Sequence, residues 1–99
     1  MHTATMRYTF TEGSFEKGCA LWKTTVLEEA KKAEGLVRMQ FLVASPQALA
    51  IGTWKEKKYA EAFMQTGVFK RLMENLKELT AAEPKSEQWE LDDYFAPHA

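Results

Sequence analysis

The stretch Ile51–Leu79, IGTWKEKKYAEAFMQTGVFKRLMENLKEL, decides how the rest of the chain is arranged. It reads as the end of a strand, a tight exit, a short helix, a break at Gly67 and a second helix. Tyr59 and Phe63 fall four apart, on one face of the short helix. Thr66 is placed to cap the second helix, and Gly67 takes the backbone conformation that the break requires. Phe69, Leu72, Met73, Leu76 and Leu79 then recur at i, i+3, i+4, i+7 and i+10, which predicts an inward stripe. Trp54 stands where the strand hands over to the helix. Its indole is expected to roof the space between sheet and helices, making a natural apolar pocket.

Working outward, Ala48–Trp54 is the strand that feeds this stretch. Leu49, Ile51 and Thr53 line one face, and Ala48, Ala50, Gly52 and Trp54 line the other. With Trp54 toward the helices, every residue before it on that face is small, which leaves room for a packed helix or for a ligand. Upstream, Met6, Tyr8 and Phe10 alternate with polar neighbours in a first strand near 3–12. Ser14 is placed to cap a helix that runs to about Glu34 and buries Phe15, Cys19, Trp22, Val26, Ala30 and Ala33, with Gly35 ending it. A second strand near 36–44 puts Val37, Met39, Phe41 and Val43 on one face and Leu36, Arg38, Gln40 and Leu42 on the other. Ser45-Pro46-Gln47 is a turn. A last strand near 86–93 carries Trp89 and Leu91.

This order predicts an α+β, ferredoxin-like β-α-β-β-α-β domain over residues 1–99, a four-stranded antiparallel sheet with helices on one face. The other face, with Arg7, Thr9, Gln40, Leu42, Leu49 and Ile51, is too apolar for water. A second copy of the sheet would cover it, so a homodimer is expected.

Composition narrows the function classes. The 99 residues carry 13 basic and 14 acidic side chains, a net charge of −1 that argues against nucleic acid or an anionic membrane as partner. No run approaches the roughly 20 apolar residues of a membrane span, and Met1 opens no signal-peptide pattern. A cytoplasmic location is expected. One cysteine, Cys19, forbids an intrachain disulfide. His2 and His98 lie near the termini and Cys19 stands alone, so no metal-ligand spacing exists, and no internal histidine is available for a Ser-His-Asp or Cys-His arrangement. The five glycines are scattered and make no phosphate loop.

The strand-ending Trp54, the short helix, and Thr66-Gly67-Val68-Phe69-Lys70 opening a longer helix together resemble the antibiotic biosynthesis monooxygenase superfamily. Within it the segment is similar to the small haem-degrading monooxygenases, which show a TWK…(S/T)xVFK run. The similarity extends over most of the chain as strand and helix order. It implies a ferredoxin-like fold that pairs into a dimeric α/β barrel. It also implies that Trp54 walls a pocket for a flat aromatic or a haem, completed by Met6, Trp22, Met39, Phe41, Phe63, Phe69 and Met73. A Met and aromatic lining suits a planar apolar ligand and is equally the composition of an ordinary core.

The chain departs from the haem-degrading pattern at two positions. Where those enzymes carry an axial histidine three residues beyond the lysine of VFK, this chain has Met73. Where their first strand carries asparagine, it has Met6. Met6 offers no hydrogen-bond donor on a distal side, so haem degradation is disfavoured. The cofactor-free, quinone-forming members of the superfamily need only a pocket that orients and deprotonates a phenol. By that resemblance Trp54, Tyr8 and Tyr59 are the catalytic candidates, with Arg7 or Arg38 available only by turning inward. The expected function is a cofactor-independent monooxygenase acting on a polycyclic or quinol-type aromatic. The alternative is a non-catalytic dimeric domain that binds an apolar ligand or haem.

Overall fold

A computed structural model describes residues 1–97, so His98 lies outside the described residues. Strand β1 (His2–Thr9) leads into helix α1 (Phe15–Trp22), which continues through a π-helical turn, Lys23–Leu27, into the short α2 (Glu28–Ala30). Strands β2 (Leu36–Ala44) and β3 (Gln47–Trp54) form a hairpin, followed by α3 (Lys57–Met64), α4 (Val68–Leu76) and β4 (Lys85–Glu90). The sheet runs β2-β3-β1-β4 and every neighbouring pair is antiparallel. This is the expected ferredoxin-like arrangement, with β1 and β3 at its centre.

One face of the sheet meets the helices. Tyr8 and Phe10, then Ala48, Ala50 and Trp54, bury against Cys19, Trp22, Val26, Ala30, Ala60, Phe63, Val68, Leu72 and Leu76. The first helix keeps its expected stripe but is not continuous. Lys32 N–H and Ala33 N–H bond to the carbonyls of Glu29 and Ala30, three residues back, so the helix tightens and ends short of Glu34. Ser14 precedes α1 without a side-chain cap, because its hydroxyl takes the hydrogen bond donated by Thr11 at 2.9 Å.

Two faces are set differently from simple periodicity. In β2 the register slips between Leu36 and Arg38, so Leu36 packs against the core and Val37 is left 45% exposed. A bulge adds one residue and inverts the alternation that placed Val37 beside Met39. In α4 the buried residues are Val68, Leu72 and Leu76, while Phe69 is half-buried and Met73 is 36% exposed. The break sets this phase. Gly67 adopts φ 84°, the Thr66 hydroxyl accepts from the Val68 N–H at 3.3 Å, and Val68 is thereby turned inward.

The opposite sheet face is open. Leu42, 48% exposed, and Trp89, 54% exposed, lie on it, with half-buried Leu49 and Ile51 between them. The chain after β4 turns back over this face: Leu91 N–H bonds to the Met1 carbonyl at 2.8 Å, and the Arg38 guanidinium both donates to the Tyr94 hydroxyl and stacks over its ring. All of β4 is exposed, because its outward residues have no layer to pack against.

The phase of α4 is directly measurable. Leu72→Ala removes a fully buried side chain and should cost about 2–5 kcal/mol in urea unfolding. Met73→Ala should cost less than about 1 kcal/mol, as a surface change. Equal costs would show that both residues face the core.

Candidate functional site

The helix-facing side of β3 carries Ala48, Ala50 and Gly52 in succession, and Trp54 closes the row. A Cβ placed on Gly52 would lie 3.1 Å from Trp54 Nε1 and 3.2 Å from Met39 Cε. The indole N–H therefore sits directly over Gly52, where a side chain would be tight against both the indole and Met39. Trp54 is then held from above by Phe63, centroids 5.2 Å apart, and Phe63 meets Phe69 edge-on at 5.6 Å. Such tilted and edge-on contacts fix ring orientation beyond what area burial alone would do.

Around this indole lies a cavity. Its sheet side is formed by Ala4, Thr5 and Met6 of β1, Met39 of β2, and Ala50 and Gly52 of β3. Val26 of the π-helical turn, Ala60, Phe63 and Met64 of α3, and Phe69 of α4 close it from the helices, and Ser86 and Gln88 of β4 form its edge. Its volume is about 40 Å³. That holds a water or two and falls far short of the roughly 300 Å³ of a small-molecule site, although the helices bring large residues over the small row of β3. Those residues have settled into the space above Ala50 and Gly52, and Met6, Met39 and Met64 fill most of what remains.

Of the residues expected to form the site, Trp54, Met6, Met39, Phe63 and Phe69 converge here. Trp22 and Phe41 do not line the cavity; they stack on each other at 4.2 Å, nearly parallel, further along the core. Met73 points away from the cavity, on the exposed side of α4. Tyr59 lies on the surface between α2 and α3, where a Cβ at Gly35 would overlap its ring; Gly35 has φ 78°. Val26, Ala60, Met64, Ser86 and Gln88 are lining residues that periodicity did not single out. Val26 was legible only as core, and Ala60 was not singled out at all. The β4 pair could have been found from its alternation with Glu87 and Trp89.

The arrangement offers haem no axial histidine, cysteine or tyrosine. Met73, at the position the resemblance makes axial, is turned from the cavity, and none of those three residue types is among the described residues lining it. Among the described residues, no three His, Cys, Asp or Glu side chains cluster to hold a metal, and no helix is long and apolar enough to cross a membrane.

The electrostatics are sparse. Among the described residues that line the cavity, none has an ionisable side chain. Tyr8 is fully buried outside it, and its hydroxyl and the nearby Trp22 indole N–H each lack a partner of good hydrogen-bond geometry. Burial pushes the Tyr8 phenol well above its ordinary value of 10.0, and the Trp22 N–H opposes this only slightly. Burial also raises the Cys19 thiol, against a small pull from Lys23, so Cys19 stays a neutral core thiol.

No family model matches the sequence, and no curated protein matches it. Solved structures match it closely in shape. One is a protein of unknown function from Nitrosomonas europaea, with a TM-score of 0.84 and 17% identity over 99% of this chain and 95% of that one. An antibiotic biosynthesis monooxygenase superposes with a TM-score of 0.79 at 11% identity, over 94% of this chain and all 100% of its own. SnoaB, a cofactor-independent oxygenase from Streptomyces nogalater, gives 0.79 at 14% identity, covering 97% of each chain. The chain thus has the fold of the antibiotic biosynthesis monooxygenases.

The buried phenol generates a pH dependence. Tyr8 has its pKa raised by folding, so its contribution to stability is complete below pH 10, the unfolded value, and is lost as pH rises beyond it. The unfolded chain releases that proton first, at up to about 1.4 kcal/mol per pH unit. Tyr8→Phe should be neutral or stabilising by up to about 1 kcal/mol at pH 7, since it removes an unpartnered hydroxyl. Urea unfolding at pH 7 and 11 should show a shallower alkaline fall in the variant. An unchanged alkaline slope would mean that Tyr8 titrates normally in the folded protein.

Proposed function

We propose that this chain is a cytoplasmic, cofactor-independent monooxygenase that oxidises a polycyclic or quinol-type aromatic held between sheet and helices. The observation that carries this reading is the apolar cavity beneath Trp54, into which one indole N–H is fixed above Gly52. A protein described as a cofactor-independent oxygenase shares the fold. For an anthrone-type substrate the reaction balances with dioxygen alone: the ring CH₂ and O₂ become a ring C=O and water. The substrate supplies all four electrons, one oxygen atom enters the carbonyl, and the two hydrogens leave in water.

With no ionisable group in the lining, the protein's part is orientation and charge stabilisation rather than proton abstraction. The substrate must therefore be one that ionises readily, giving its proton to water. The Trp54 N–H steadies the resulting oxyanion in a dry setting, where such a bond is strong. Tyr8 and Tyr59, outside the cavity, have no base role in this scheme. Entry of a polycycle requires Met6, Met39 and Met64 to turn aside, which their unbranched chains allow at small cost.

Anthrone in air should be converted to anthraquinone with matching oxygen uptake, above the buffer rate and without added metal or flavin. Trp54→Phe keeps a ring and loses the N–H, and should slow the reaction on the order of a hundredfold. A rate equal to buffer would end the enzymatic reading. The same missing base favours a second reading, a domain that binds a flat apolar ligand without turning it over. Anthrone binding with no product would leave that one standing.

The open sheet face supports a homodimer packed sheet to sheet, with Ile51 at its centre and Leu42 and Trp89 toward its two edges. An interface of this kind buries on the order of 2,000 Å². Light scattering should return the mass of two chains, and Ile51→Asp, which sets a charge in the middle of the face, should return that of one. A single-chain mass for the unaltered protein would rule the dimer out.

A further inference from the structure

The cavity is apolar except at one end. Thr5 contributes from a strand position whose side chain belongs to the opposite face, where its hydroxyl approaches the Glu87 carbonyl at 3.5 Å. That leaves Ser86 and Gln88, both on the helix-facing side of β4, as the polar side chains at the cavity's edge. Gln88 is not free to rotate. Its Oε1 lies 2.6 Å from His2 Nε2, across the β1–β4 pair. An amide oxygen can only accept, so His2 Nε2 carries the hydrogen and donates it. With one Oε1 lone pair taken by His2, the Gln88 NH₂ is the free donor of the carboxamide at the cavity's edge.

We infer that Gln88, held by His2, selects flat aromatic ligands that present an oxygen acceptor toward β4. This rests on the reading of the cavity as an aromatic site and adds its polarity: hydrocarbon toward Phe63 and Phe69, ketone or phenol oxygen toward the sheet edge. Two donors then face a ligand from different elements, the Trp54 indole N–H from β3 and the Gln88 NH₂ from β4. A ring system with oxygens at separated positions satisfies both, and an unsubstituted one satisfies neither. Gln88 lies at the exposed rim of the cavity, so the discrimination comes from the hydrogen bond a ketone or phenol oxygen gains there and a hydrocarbon cannot make. Gln88 is the specificity residue in this scheme, and His2 is a positioning residue that acts through it.

The test uses fluorene and 9-fluorenone, which share one frame and differ by a carbonyl oxygen, titrated against tryptophan emission. The unaltered protein should bind fluorenone about tenfold more tightly, the value of one good hydrogen bond. Gln88→Leu and Gln88→Glu, which both lack the NH₂, should each lower that preference several-fold, with the Trp54 N–H sustaining what is left. His2→Phe should reduce the preference only partly, because Gln88 stays but is no longer fixed. A change in overall folding would weaken both ligands together and leave their ratio unchanged, so the ratio is the readout. If the unaltered protein binds neither compound, the aromatic reading falls and this inference with it. If it binds both and Gln88→Leu keeps the full preference, the inference alone is overturned.

Discussion

The packing of the Trp54 indole over Gly52 is the contact on which the rest of the structure depends. The two residues are two apart on one strand face, so the side chain folds back along its own strand. The absence of a Cβ at Gly52 lets it lie there without crowding. The ring so placed is the platform for Phe63, which in turn orients Phe69 across the Gly67 break. This aromatic chain orients α3 and the start of α4 over β3, while Val68, Leu72 and Leu76 anchor the rest of α4 in the core. The cavity is what remains between this chain and the small residues of β3.

A second aromatic assembly supports the other end of the core. Trp22 and Phe41 stack there beside Tyr8, a hydroxyl-bearing ring where phenylalanine would pack as well. This end is dense and ligand-free in character, and the Trp54 end is looser and lined by methionines. The two ends of the same core differ in which side chains fill them. Aromatic stacks are rigid, whereas methionine walls can rearrange without moving the backbone.

Much of this was legible in the sequence. Alternation in β1 and β3, the Ser45-Pro46 turn and the break at Gly67 gave the element order and the fold. The helix-facing row Ala48, Ala50, Gly52 and Trp54 marked where a cavity would lie. Three things were not legible, each for a local reason. The β2 bulge exchanges Leu36 and Val37, and a bulge leaves no mark in a run where every residue is plausible on either face. The α4 stripe begins on Val68 rather than Phe69, because the left-handed Gly67 sets the helical phase before any apolar residue is counted. The lining role of Ser86 and Gln88 was masked because β4 is polar and reads as surface, and only its alternation with Glu87 and Trp89 hints that one face meets the cavity.

That last strand has a mechanical consequence. β4 pairs with β1 alone, and its other side is a free edge along which Lys85 and Glu87 discourage another chain from adding to the sheet. Strands held on one side are the first to open in local fluctuations. The polar side of the cavity is therefore a yielding wall. Its entrance can widen by a hinge-like sway of the edge strand while the Trp54 seat, two strands away, keeps its shape. Trp89 sits beside Gln88 on that strand with its side chain on the far face. Anything that clamps Trp89 would stiffen this movable wall, so the traffic of molecules into the cavity is set by what lies against the back of the sheet.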